Sequence, residues 1–192
     1  MDFLNSIILL TNFIIVPGIT YGSQLALGAI GVTLIYGVLR FANFAYGDLM
    51  AFGTMIVILV TWFLQSKGIT FGLLPTALLA LPVGILLTIA VSLFFDKTVF
   101  EYYRNKKSDP VTFIVVSLGI MFVLNAVVRI IIGPNDINFM DGHKFIMKAR
   151  EFKQMTGLNE GLALKSTQVI TLITTIITCS ILFYFLNKTK TG

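Results

Sequence analysis

The sequence predicts an all-α fold, a polytopic transmembrane helical bundle of about five spans, with a short N-terminal interfacial helix and a broken or dipping segment after the first span. Hydrophobic residues make up 56% of the 192 positions and charged residues only 12%. Water-soluble domains carry about 25% charged residues, and the mean hydropathy here is +0.90. The charges are also grouped, which leaves five long uncharged stretches. A soluble enzyme or nucleic-acid-binding domain is therefore not expected.

The uncharged stretches define the predicted helices. They contain 37, 18, 28, 19 and 22 residues, counted along the sequence, and one crossing of the bilayer needs about 20. The first stretch is too long for one crossing, and we expect Pro17-Gly18 to divide it. The predicted helices are 4–16 at the interface and the spans 19–39, 48–63, 74–95, 111–132 and 167–186. Together they form a single transmembrane domain, residues 1–192.

Basic residues in the connections predict the orientation, because Lys and Arg are retained on the cytoplasmic side. The loop 96–110 contains four of them, and two more follow the last span. Both regions are therefore predicted to be cytoplasmic, which places the N-terminus and the segment 133–166 outside and residue 192 inside. The net charge of +5 is assigned to loops that meet anionic lipid headgroups rather than to nucleic acid.

Segment 36–48, between the first two predicted spans, is too apolar for an ordinary water-exposed loop. Three polar residues nevertheless interrupt it: Arg40, Asn43 and Asp48. A non-helical segment that dips into protein at membrane depth fits this pattern, with Asp48 as the N-cap of the next helix. A tight interhelical loop with a capping aspartate is the alternative.

Two predicted spans also contain polar side chains. Gln24 lies among small residues, so it is expected to form an interhelical hydrogen bond rather than to contact a ligand. Asn125 shares a helix face with Met121 and Arg129 at a spacing of four residues and needs a partner in protein or water. Arg129 lies near the outer end of its span and is expected to reach the interface as an anchor.

The remaining candidate residues indicate neither a metal site nor a catalytic site. Tyr103 and Arg104 belong to an aromatic and charged stretch of loop 96–110 that is either a membrane-interface anchor or a docking site for a soluble partner. His143 and Cys179 are the only residues of their types, so no metal site is expected. No catalytic set is present, and an enzyme is not expected.

Residues 22–53 read GSQLALGAIGVTLIYGVLRFANFAYGDLMAFG. This stretch closely resembles the first signature region of the high-affinity branched-chain amino acid permeases, the LivH-type subunits of ABC importers. Tyr36-Gly37 matches a Tyr-Gly pair, and 43–48 matches Asn-Phe-Ala-His-Gly-Glu, with Tyr46 and Asp48 in place of the His and Glu. Tyr103-Arg104 is similar to the first two residues of a Tyr-Arg-Pro element. The family also has a span that ends in Leu-Gln-Asn and is followed by Gly-Pro. The region from Leu124-Asn125 to Gly133-Pro134 is similar to this element.

The resemblance implies a permease subunit in the bacterial inner membrane that moves branched-chain amino acids into the cell. It implies a second permease subunit, cytoplasmic ATPase subunits that use the ATP, and a periplasmic amino-acid-binding protein, with membrane lipid around the chain and no cofactor in the chain itself. The sequence ends where the family continues, so about a third of a permease is expected to be missing or supplied by another polypeptide. The residues assigned to the substrate pathway are Gln24, Asn43, Tyr46, Asp48 and Asn125, and those assigned to partner docking are Tyr103 and Arg104.

Three other functions remain open at this point. A urea or short-chain amide importer of the same superfamily would differ only in the lining of its pathway. A passive channel would conduct solute without ATPases or a binding protein, and a membrane scaffold would conduct none. Dependence of uptake on ATP and on a binding protein separates an importer from a passive channel and from a scaffold.

Overall fold

The computed structural model describes residues 2–69, 74–135, 145–156 and 160–188. Eight α-helices, two short π-helical segments and two short strands cover most of this part of the chain. In chain order these are α1 (Asp2–Leu10), a π-helical segment (Thr11–Ile15), α2 (Val16–Leu39), α3 (Ala45–Ser66), α4 (Ala77–Phe95), a second π-helical segment (Asp96–Phe100), α5 (Glu101–Asn105), α6 (Pro110–Ile132), β1 (Phe145–Met147), α7 (Ala149–Thr156), β2 (Leu164–Lys165) and α8 (Ser166–Lys188).

Five continuous helices within the described residues are long and apolar enough to cross a membrane, as predicted. Each contains a window of 18 residues with high hydropathy and almost no charge, and each exceeds the roughly 20 residues that a crossing needs. The five are Asn5–Leu39, Ala45–Ser66, Ala77–Asn105, Pro110–Ile132 and Ser166–Lys188.

The predicted division of the first stretch at Pro17-Gly18 is wrong. The chain is helical without interruption from Asp2 to Leu39, so the expected interfacial helix is joined to the first span. Pro17 has no amide hydrogen to donate, and the π-helical segment directly before it changes the local hydrogen-bond spacing, with the Val16 amide bonded to the Thr11 carbonyl. Such segments let a helix accommodate a local mismatch, and membrane helices tolerate proline.

The predicted loop 96–110 is also mostly helical. The span continues from α4 through the second π-helical segment and α5 as far as Asn105. In this continued helix, Phe100 buries its ring in an aromatic and aliphatic core, which favours the helix over a solvated loop. The backbone then turns at Lys107, whose φ is 52°.

Residues Val32–Asp141 form one compact unit, in which α3 packs against both α4 and α6. Glycines bring α3 and α4 close together: a methyl group at Gly53 would lie 2.6 Å from Thr88 Oγ1, and one at Gly84 would collide with Val57. Small residues at such contacts are what allow membrane helices to pack without a hydrophobic driving force between them.

The core of this unit lies at one end of α3. Phe41, Phe100 and Phe113 form an aromatic cluster, in which the Phe41 ring centroid is 5.1 Å from that of Phe113 and 5.8 Å from that of Phe100. Ile120 and Leu124 of α6 are buried beside it. All eight buried hydrophobic residues in the described part of the chain belong to this unit.

Residues Met1–Gly31 and Gly142–Gly192 form the second unit. The side chain of Asn12 binds an extended segment, donating to the Gly161 carbonyl at 2.7 Å and accepting from the Ala163 amide at 3.0 Å. The short strands β1 and β2 pair antiparallel, and α7 is a helix of eight residues. His143 lies outside the described residues, and the single-domain interpretation stays a prediction.

Candidate functional site

The polar segment between α2 and α3 interrupts the helix at residues 40–44, which both sequence interpretations allow. It begins at Arg40, whose φ of 62° is left-handed and whose amide still bonds to the Tyr36 carbonyl at 2.9 Å. A non-glycine residue in this conformation costs roughly 1–2 kcal/mol. The burial of the next side chain, Phe41, in the aromatic cluster offsets this cost.

The start of α3 corrects the role assigned to Asp48. The helix begins at Ala45 with Phe44 as its N-cap residue, so Asp48 lies in the first turn and does not cap the helix. Asn43 instead provides the side-chain acceptor, because its Oδ1 accepts a hydrogen bond from the Ala45 amide at 3.1 Å. The helix starts three residues earlier than predicted because the aromatic cluster and α6 fix the chain there.

Ser117 of α6 is a residue of this site that the sequence did not single out. Its Oγ accepts from the Phe44 amide at 3.2 Å and donates to the Ile114 carbonyl at 2.8 Å, and the residue is fully buried. The signal was its position: a small polar residue on the same α6 face as Phe113 and Ile120. Ser117 is the eighth residue of α6, about 11 Å along the helix from its start. The break therefore lies beside the interior of α6 and not beside its end.

Asp48 and Asn125 join α3 to α6. Asn125 Nδ2 donates to Asp48 Oδ1 at 2.9 Å, and both side chains are half-buried. The expectation that Asn125 requires a partner is confirmed. Asn125 lies about 22 Å along α6, so this charge-assisted hydrogen bond is also well inside the span.

A cavity of about 420 Å³ lies on one side of the break, within the range of about 300–1,000 Å³ typical of small-molecule sites. Its polar lining includes Asn43 and Tyr46, together with Asp96 in the second π-helical segment and Arg104 in α5. The rest is mainly aliphatic and aromatic. Its lining residues come from α2, the break, α3, α6 and the helix that runs from α4 to α5. We call this space the apolar cavity.

A groove of about 380 Å³ lies between α3 and α6 on the other side of the Asp48–Asn125 pair. It extends to the end of α6 and to Asn135. Arg129, Trp62 and Thr54 add further polar groups to its lining. We call this space the polar groove.

Three further candidates are Gln24, Tyr103 and Arg104. Gln24 is exposed on α2, within the second unit, so its proposed interhelical hydrogen bond stays a prediction. Arg104 is exposed and donates to Asp96 at 3.0 Å, and Tyr103 is half-buried with its ring 5.3 Å from that of Tyr102. A docking role for Tyr103 and Arg104 therefore also stays a prediction.

Metal binding finds no support in this part of the molecule. In residues 2–69, 74–135, 145–156 and 160–188, no three histidine, cysteine, aspartate or glutamate side chains come together as ligands. The Asp48 carboxylate instead accepts a hydrogen bond from the side-chain amide of Asn125. The site thus offers polar groups that can form hydrogen bonds with a ligand.

Residues 14–192 match the family model described as "Branched-chain amino acid transport system / permease component". The chain belongs to this family. It is 30% identical over 121 residues to the "High-affinity branched-chain amino acid transport system permease protein LivH" of Escherichia coli K12. The aligned region covers 62% of this chain and 38% of that protein. It is 38% identical over 55 residues to the corresponding protein BraD of Pseudomonas aeruginosa. That alignment covers 29% of this chain and 18% of BraD. No solved structure gives a significant match.

Family membership and the five apolar helices together establish a multi-pass membrane protein of the transport permease class. The matched region spans only about two fifths of the curated LivH relatives, 38% of their length. The matched family region includes every residue of the break and of the Asp48–Asn125 pair.

Proposed function

We propose that this permease is a membrane-spanning subunit of an ABC importer that carries branched-chain amino acids across the bacterial inner membrane into the cell. One observation carries the proposal beyond family membership. The first turn of α3 is fixed at membrane depth by the Phe44–Ser117 and Asp48–Asn125 hydrogen bonds, between the apolar cavity and the polar groove. Broken helices that line a wet path at this depth are how transporters bind polar solutes.

The two spaces lead toward opposite ends of α6. The apolar cavity reaches Arg104, near the basic residues Lys106 and Lys107, and by the positive-inside rule this end is cytoplasmic. The polar groove reaches Pro134 and Asn135 at the outer end. In the proposed orientation the N-terminus is outside and residue 192 is cytoplasmic. The first turn of α3 then separates an outward-facing space from an inward-facing one.

The proposed partners follow from this role. A periplasmic binding protein delivers the amino acid, a second permease subunit completes the pathway, and cytoplasmic ATPase subunits supply the energy of ATP hydrolysis. The apolar side chains of α2, including Leu25, Val32 and Tyr36, are exposed, so they require lipid or another membrane helix to cover them. Tyr103 and Arg104 are candidates for contact with a cytoplasmic partner.

Uptake of radiolabelled leucine by the complete transporter tests the proposal. Asn43→Leu removes the acceptor for the Ala45 amide and one polar group from the lining of the apolar cavity, and we expect leucine uptake to fall at least about tenfold. Asn43→Asp keeps the acceptor for the Ala45 amide, so it separates the effect of the α3 start on uptake from the effect of the cavity lining. Asn187→Leu is the matched control, since Asn187 is exposed near the end of α8 and lines neither space.

Wild-type uptake must require both ATP and the binding protein. Leucine flux without either component would identify a passive channel instead. Unchanged uptake in Asn43→Leu would remove this residue from the pathway, and ATP-dependent uptake of urea or acetamide in preference to leucine would identify the related amide importer.

A further inference from the structure

The polar groove contains two opposite charges along one short path. Asp48 and Asn125 lie at its deep end, and Arg129 lies one helical turn beyond Asn125, about 6 Å along the axis of α6. Between and around them the lining is apolar, with Met55 and Ile58 contributed by α3. The groove therefore combines a carboxylate, a guanidinium and an aliphatic wall.

Neither charge is neutralised within the described residues. Asp48 accepts a hydrogen bond from Asn125 on Oδ1, but in the described part of the chain it forms no ion pair, and neither does Arg129. Ionisable groups inside a membrane span are costly unless they face protein or water and find a partner. Asp48 is half-buried and Arg129 is exposed on the groove wall. A carboxylate and a guanidinium in one groove, neither with an oppositely charged partner in the described residues, favour a ligand that carries both charges.

We propose that the polar groove binds the two charged ends of a zwitterionic α-amino acid, with Asp48 accepting from the α-ammonium group and Arg129 donating to the α-carboxylate. Asn125 positions the Asp48 carboxylate through Oδ1, and Met55 and Ile58 contact the aliphatic side chain. This inference rests on the proposed function and deepens it, because it makes both charges of the solute, and not only its apolar side chain, a condition for transport.

Arg129 thereby acquires a role that differs from the interfacial anchor expected from the sequence. A snorkelling arginine needs only a long stem and access to headgroups. Arg129 instead lines a groove that α3 forms with α6, and its guanidinium can form two parallel hydrogen bonds with a carboxylate. A lysine could supply the charge but not this bidentate geometry.

The test measures KM and the maximal rate of leucine uptake by the complete transporter carrying Asp48→Asn, Arg129→Gln or Arg129→Lys. Asp48→Asn keeps an oxygen that can accept from Asn125. We expect KM to rise about tenfold or more in Asp48→Asn and Arg129→Gln, because hydrogen bonds to charged groups are lost, and to rise less in Arg129→Lys. Arg150→Gln is the matched control, an exposed arginine of α7, and should retain the wild-type KM.

Competition by leucine analogues identifies which charge each residue recognises. In the wild type, leucinamide, which lacks the carboxylate, and 4-methylpentanoate, which lacks the ammonium group, should compete weakly with leucine. Arg129→Gln should reduce the discrimination between leucine and leucinamide, and Asp48→Asn that between leucine and 4-methylpentanoate. A purely structural role for either residue would lower the maximal rate without changing these ratios.

Two different failures are distinguishable. If the wild-type transporter shows no ATP-dependent leucine uptake, the proposed function is wrong. If uptake is normal but KM and analogue discrimination are unchanged in both Asp48→Asn and Arg129→Gln, only the charge-recognition proposal is overturned. An equal rise of KM in Arg150→Gln would also overturn it, since the effect would then not depend on the groove.

Discussion

The apolar cavity and the polar groove lie on opposite sides of the first turn of α3, yet they differ in chemistry. The apolar cavity is enclosed mainly by aliphatic and aromatic side chains around Phe41. The polar groove has Asp48, Asn125 and Arg129 in its lining. The difference shows how a single helical turn, held in place by one neighbour, separates two environments.

The aromatic support of the apolar cavity should give the largest effect. Phe41→Ala removes a ring that is 7% exposed and in contact with Phe100 and Phe113, and we expect the free energy of unfolding to fall by about 3 kcal/mol. Phe44→Ala is the matched control in the same break, because its side chain is 50% exposed. Thermal unfolding of the purified chain in detergent measures both. Equal losses would show that the cluster does not support the break.

The partition between the two spaces can be tested with a double-mutant cycle on Asp48 and Asn125. We expect a coupling free energy of about 1 kcal/mol from Asp48→Ala, Asn125→Ala and the double variant, in keeping with hydrogen bonds measured within membrane helices. The exposed pair Arg104–Asp96 is the control, with an expected coupling below about 0.5 kcal/mol. Additive effects at Asp48 and Asn125 would mean that the observed hydrogen bond does not hold α3 to α6.

The smallest expected effect concerns the backbone of the break. Ser117→Ala leaves the Phe44 amide without its acceptor, so the free energy of unfolding should fall by about 1 kcal/mol and the Phe44 amide should exchange with solvent faster. Ser180→Ala serves as the control, because Ser180 is exposed and bonds only to the Ile176 carbonyl of its own helix. Unchanged exchange at Phe44 would contradict the role given to Ser117.

Much of the site could be predicted from the sequence, because polar residues occur within apolar segments. Asn43 and Asp48 interrupt an apolar segment, which predicted a break between two helices. Asn125 interrupts an apolar helix, so it was expected to need a partner in protein or water. The sequence could not show that Asp48 and Asn125 are partners of each other, because 77 residues separate them. It also misjudged Asp48 as an N-cap, since the start of α3 is fixed by contacts of Phe41 and Phe44 with other segments.

The predicted helix boundaries were wrong where tertiary contacts or local hydrogen bonding outweighed a sequence signal. Pro17 normally ends a helix, but a π-helical segment before it preserves the first span. The charges after Phe95 suggested a loop, but the burial of Phe100 continues the helix to Asn105. Proline and charge are reliable breakers only when nothing compensates for the lost hydrogen bond or the apolar contact.

The sequence by itself determined that this protein crosses the membrane with five apolar helices, because the cost of placing a segment in hydrocarbon is nearly a sum over its own residues. It also determined which polar residues would require partners. Only the tertiary structure decided that Asp48 meets Asn125, that Ser117 holds the break about 11 Å inside α6, and that Arg129 shares a groove with Asp48. Those outcomes depend on how distant helices pack against each other, which no local pattern specifies.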